Sequence, residues 1–190
     1  MEKLRFCDTQ SVSTKRQEFE IDARESKKLY MMHLCIFPHI NDPSPIFGFD
    51  IIAGPNKVTG AFHDFSPTDP NAKMLNYFKQ QVEPYQWSKV RELPHWAKQI
   101  FSGNMVAASN IKSDEELDNV LSLVLANLDY YLSCVGSRTT ENFVKKQNDY
   151  CYWQKQNPHT PRVMSALGFD SDVVSQFISQ CLFPEFTNDI

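Results

Sequence analysis

A carboxylate at position 50 stands inside an otherwise apolar run, Ile46-Phe-Gly-Phe-Asp-Ile-Ile-Ala53. Side chains alternate along a strand, so Phe47, Phe49 and Ile51 share one face, and Ile46, Gly48, Asp50 and Ile52 share the other. An ionised carboxylate on a buried face is costly; it acquires a raised pKa, a partner, or a ligand that uses it. Gly48, on the same face, leaves room for a flat molecule to approach. The plainer alternative is an Asp at a strand end that bonds a neighbouring backbone group.

The elements that position Asp50 follow from periodicity. Residues 1–16 are polar and read as a loose leader. Phe19 and Ile21 alternate with Glu18, Glu20 and Asp22, which predicts a short strand. Leu29–Phe37 is a second strand, ended by Pro38, and His39–Pro45 is a loop of turn residues. Strands 46–53 and 56–65 follow, joined at Gly54-Pro55-Asn56 as a hairpin. A helix is expected near Ala72–Val82, an irregular stretch over 83–103, and a last strand at Met105–Ala108. Ser113 with Glu116 forms a capping box, and Leu117, Val120, Leu121, Val124, Leu128 and Leu132 repeat at helical spacing. Further helices are predicted over Glu141–Lys155 and from Ser171 to about Leu182. Strands first and helices later predict an α+β fold in one domain spanning residues 1–190, an antiparallel sheet covered by helices.

Composition narrows the function. Aromatic residues make up 13% of the chain, with 14 Phe, enough to fill a core or to line a pocket for a flat conjugated ligand. The net charge of −4 argues against a nucleic-acid binder. No apolar run approaches the ~20 residues that cross a bilayer, and the N-terminus lacks a signal-peptide core, so a soluble, cytoplasmic protein is expected. The five Cys are scattered without a C-x-x-C pair, as free thiols in a reducing compartment would be, and the five His are not at metal-ligand spacing, so no metal is expected. There is no G-x-G-x-x-G after a strand, no P-loop, no G-x-S-x-G and no H-E-x-x-H. His63 and Asp64, being adjacent in a strand, point to opposite faces and form no dyad.

Several segments in order resemble the ferredoxin-dependent bilin reductases. They are His33-Leu-Cys-Ile-Phe-Pro38, Ile46 to Pro55, Asp64-Phe-Ser-Pro67, Leu93-Pro-His-Trp96 with Ile100-Phe-Ser102, Gln156-Asn-Pro-His-Thr-Pro-Arg-Val163, and Phe177 to Phe183. The resemblance implies an α/β/α sandwich, a central antiparallel sheet flanked by helices. It implies reduction of biliverdin IXα to phycocyanobilin, D-ring vinyl group before A-ring, by radical one-electron steps. No cofactor would be bound; reduced [2Fe-2S] ferredoxin would supply electrons and side chains protons, which agrees with the missing flavin, nicotinamide and metal motifs. The enzyme would be a monomer with ferredoxin as its partner and no membrane.

Carried over by position, Asp50 falls on the family's central proton donor and His33 on the imidazole that shares its proton network. A histidine here, where other branches have Asn or Asp, implies the phycocyanobilin branch. Glu20 matches the acid that protonates the D-ring vinyl group, with a one-residue insertion before His33; Glu18 and Asp22 lie on its face as substitutes. Thr59 matches a hydroxyl that helps hold a propionate. Asn157 matches, but Pro158 replaces the family's Asp and His159 replaces a propionate-binding Lys; Arg162 and Lys155 are candidate compensations. Alternatives are a reductase of other regiospecificity, one stopping at a two-electron dihydrobiliverdin, or a bilin carrier without turnover. Ferredoxin is acidic, so a basic docking face is expected, at Lys145-Lys146 with Lys155 or at Lys27-Lys28.

Overall fold

The computed structural model describes residues 14–22, 29–70 and 72–186, the side chains of 14–22 excepted. Five strands form one antiparallel meander in chain order: β1 Thr14–Asp22, β2 Tyr30–Pro38, β3 Ile46–Gly54, β4 Lys57–Ser66 and β5 Val106–Ile111. Residues 14–16, assigned to the leader from their polarity, therefore belong to β1. Residues 1–13 and the Lys27-Lys28 patch lie outside the described residues. Pro55-Asn56 makes the β3–β4 hairpin, with a register shift at Ile52/Ala53. The irregular stretch contributes more than a loop. Val90 bridges Ala108, and Arg91 N–H and Ser109 N–H bond across at 2.8 Å each, so residues 89–91 extend the sheet beyond β5.

Because the sheet is apolar on both faces, it requires a layer on each. On one face Leu34, Ile36, Phe47, Phe49, Ala61 and Phe65 pack against Met74 and Phe78 of α1 (Lys73–Val82) and Val120, Leu123, Val124 and Tyr131 of α2 (Asp114–Cys134). Phe65 stacks on Phe78 at 4.8 Å between centroids; burying each such ring contributes about 2–3 kcal/mol. On the other face Cys35, Phe37 and Ile46 pack against Ile100, against Tyr150 and Cys151 of α3 (Val144–Gln154), and against Leu182 and Phe183. This is the expected α/β/α sandwich.

Local chemistry sets the helix ends. Ser113 Oγ accepts from Glu116 N–H at 3.1 Å, as a capping box requires. The Glu116 carboxylate does not complete the box; it accepts from Ser88 N–H at 2.7 Å and Lys112 N–H at 3.3 Å, tying the irregular stretch to α2. An additional helix, α4 (His159–Ala166), occupies a stretch for which the sequence predicted none. Pro158 and Pro161 stand before and within its first turn, where a backbone N–H has no helical acceptor to lose. The last predicted helix divides into α5 (Ser171–Gln176) and a π-helical turn, Phe177–Leu182. That turn delivers Phe183 onto the second face of the sheet.

Candidate functional site

The antiparallel register of β2 and β3 sets His33 directly opposite Asp50, and residues directly opposite share a face. Their side chains meet: His33 Nδ1 lies 2.5 Å from Asp50 Oδ1. The carboxylate has thus found a partner seventeen residues away in the chain. The imidazole is buried while the Asp50 side chain is 38% exposed, so one end of the pair is dry and the other reaches solvent. Burial, the largest influence on His33, pushes its pKa down; the charge of Asp50 and its hydrogen bond outweigh burial, and the net shift is upward. The pairing therefore makes the ring easier to protonate than a free imidazole, with Nδ1–H donating to Asp50. Among the described residues Nε2 is buried without a partner, and the Phe183 ring stands edge-on to the imidazole at 5.9 Å. Such a pair can hold a proton in a dry place and pass it on.

The next row across the sheet is Cys35, Gly48 and Asp64. The space expected over Gly48 is held by the Tyr150 hydroxyl, 3.7 Å from where a Cβ would lie. Gln154 Nε2 donates to that hydroxyl at 2.8 Å, and Cys35 Sγ approaches it at 3.8 Å. Burial holds both the thiol and the phenol protonated by raising their pKa values well above normal. Asp64 is fully buried, and burial raises it to about 6 against the opposing donation of Ser102 and Ser66. It accepts from Ser66 Oγ at 2.7 Å, Ser102 N–H at 2.9 Å and Ser102 Oγ, which pins the loop after the Ala97–Gln99 turn to β4. His63 turns to the other face as expected. Its Nδ1–H donates to Gly48 C=O at 2.7 Å, Asn127 Nδ2 donates to Nε2 at 3.1 Å, and burial lowers its pKa to about 4, so it is a neutral core residue.

The remaining predicted residues are scattered. Thr59 is exposed, and its hydroxyl donates to Ile52 C=O at 3.0 Å. Asn157 Oδ1 accepts from His159 N–H at 3.0 Å, and His159 and Arg162 are exposed on α4. Lys155 pairs with Glu185 at 2.7 Å. In the backbone register Phe19 pairs with His33, whereas Glu20 pairs with Met32, one step off the His33–Asp50 row. The Glu20 side chain lies outside the described residues. One cation was missed from sequence. Arg91 lies over the Phe62 ring at 5.6 Å, and Phe62 is the register neighbour of Asp50. Its signal was its position two residues before Leu93-Pro-His-Trp96; spacing alone says nothing of the sheet extension that carries it.

The sequence profile described as ferredoxin-dependent bilin reductase matches residues 14–184. Phycocyanobilin:ferredoxin oxidoreductase from Synechococcus sp. strain CC9605 is 33% identical over 172 residues, covering 85% of this chain and 68% of that protein. The solved structure of PcyX is 31% identical with a TM-score of 0.61, covering 91% of this chain and 75% of that one. Tomato phytochromobilin synthase, solved in complex with biliverdin, is 16% identical with a TM-score of 0.64, over 87% of this chain and 69% of that one. This last likeness is one of fold.

Proposed function

The chain belongs to the ferredoxin-dependent bilin reductase family, and from that premise we propose that it reduces biliverdin IXα to phycocyanobilin in four one-electron, proton-coupled steps, the D-ring vinyl group before the A-ring. The observation that carries this reading is the His33–Asp50 contact on one sheet face. Electrons from ferredoxin arrive singly, so the bilin must hold an unpaired electron between protonations, and a proton source beside it decides where hydrogen is added. Asp50 is the direct donor at the half-open end of the pair. His33 stores the proton, because its own pKa is held up by Asp50. Arg91, with Lys89 two residues before it on the sheet extension, supplies positive charge for a propionate. Asn157, His159, Arg162 and Thr59 remain candidate substrate contacts from the resemblance, reached only if α4 and the β3–β4 end border the bound bilin.

The test is anaerobic turnover of biliverdin with reduced ferredoxin, followed by product identification. Phycocyanobilin is the expected product. Release of a dihydrobiliverdin would favour the two-electron reductase that Pro158 suggests. A shifted biliverdin spectrum that never evolves would identify a carrier and overturn the proposal.

A further inference from the structure

Charge is unevenly divided over the two layers. Helix α2 carries five acidic residues and no basic one. On the opposite layer, residues 92–104 and 144–156 together carry four basic residues against two acidic ones, a net of +2 in a chain of net −4. These two segments are packed together. His95 meets the Trp153 ring at 6.1 Å, and the Phe101 ring meets Tyr150 at 6.2 Å. Lys146 and Trp153, seven residues apart, lie along the same side of α3, and the Ala97–Gln99 turn, which carries Lys98, packs against α3. Both lysines are exposed, and among the described residues neither forms an ion pair, whereas Lys145 is held by Asp149 and Lys155 by Glu185. The two packed segments thus present the exposed Lys98 and Lys146 together with the paired His95 and Trp153 rings.

This face is also continuous with the site. Trp96 meets Phe101 at 6.1 Å, Phe101 meets Tyr150 at 6.2 Å, Tyr150 meets Phe183 at 6.4 Å, and Phe183 meets His33 at 5.9 Å. A packed aromatic row therefore runs from this surface to the proton-holding pair, on the same side of the sheet.

We propose that the face built by the Ala97–Gln99 turn and the Lys146–Trp153 side of α3 is the docking surface for ferredoxin; this rests on the reductase reading above. The partner is an acidic protein, and its complement on the second layer is this surface, while the acidic α2 layer repels it. Each encounter oxidises one [2Fe-2S] cluster by one electron and reduces the bound bilin by one, the chain itself being neither oxidised nor reduced.

The experiment is kcat/KM for reduced ferredoxin across a salt series, in wild type, in Lys98→Glu/Lys146→Glu and in Lys73→Glu/Lys79→Glu on α1 as the control. Biliverdin affinity and turnover with a small photoreduced dye are measured alongside. The proposal expects the first variant to lose about tenfold to a hundredfold in kcat/KM for ferredoxin at low salt. Its salt dependence flattens, while biliverdin affinity and dye-driven turnover stay at wild-type level. An equal loss in the α1 variant, or no loss in the first, overturns it. If the first variant loses dye-driven turnover too, Lys98→Gln/Lys146→Gln decides: a ferredoxin-specific loss supports the surface, and a loss with both donors overturns it. Wild type that is inactive with both donors overturns the reductase reading itself, a result distinct from any of these.

Discussion

Replacing Asp50 by Asn removes the charge while keeping the shape, and its first effect should be on His33. In the wild-type protein burial pushes the imidazole pKa down and Asp50 pushes it up further, through charge and a 2.5 Å hydrogen bond. A hydrogen bond to a charged group contributes about 1.5–3 kcal/mol. The Asp50 side chain is 38% exposed, so water screens it and the lower end applies. The His33 pKa should accordingly fall in Asp50→Asn, because burial, which lowers it, is then no longer opposed by the carboxylate's charge and hydrogen bond. Histidine Cε1–H resonances followed against pH by NMR measure this directly. Stability provides the linked readout. A folded-state pKa raised above the unfolded 6.5 contributes stability that is fully present below pH 6.5 and is lost as pH rises through the folded value. Urea melts should therefore show wild type exceeding Asp50→Asn by its largest margin below pH 6.5, with the pair's share of that margin fading above it. In turnover the variant should bind biliverdin, accept an electron and stall at a long-lived radical, because the amide has no transferable proton. An unshifted His33, or a normal yield of product, would refute the pairing as the proton source.

Arg91→Gln should weaken biliverdin binding about tenfold, the order of a charge-assisted pair partly open to water, and should not weaken binding of the dimethyl ester; equal losses for both ligands in absorbance titrations would place Arg91 away from the propionates. The β1 register sets Glu20 off the His33–Asp50 row, so Glu20→Gln should leave D-ring vinyl reduction intact; its loss in product analysis would show β1 paired one residue away in solution and restore Glu20 as the vinyl acid. Pro158→Asp should speed the A-ring stage and leave the D-ring stage unchanged in single-turnover spectra, and equal rates in both proteins would remove this position from the proton path. Ser102→Ala deletes a donor that favours ionised Asp64, so the Asp64 pKa should rise further above about 6, read from its carboxyl carbon by NMR; a fall would refute the assigned cause.

Local pattern alone determined the order of the strands, the one-sided placement of Asp50, the opposed faces of His63 and Asp64, and the start of α2 at Ser113. Each depends on neighbours within a few residues, where the twofold and 3.6-fold periods and the capping chemistry act. Sequence similarity added His33. That His33 and Asp50 touch was decided by the β2–β3 register, a property of pairing across the His39–Pro45 loop. A one-residue slip would have put them on opposite faces. Arg91 reaches the site because residues 89–91 join the sheet at β5, a pairing of segments with no shared periodicity. Tyr150 closes over Gly48 because α3 packs there, one hundred residues later in the chain. Helix α4 forms despite two prolines because its first turn needs no donor from them. Long-range contacts are chosen by how two already folded surfaces fit and by which polar groups find partners once water is excluded, and neither is written into the local spacing of residues.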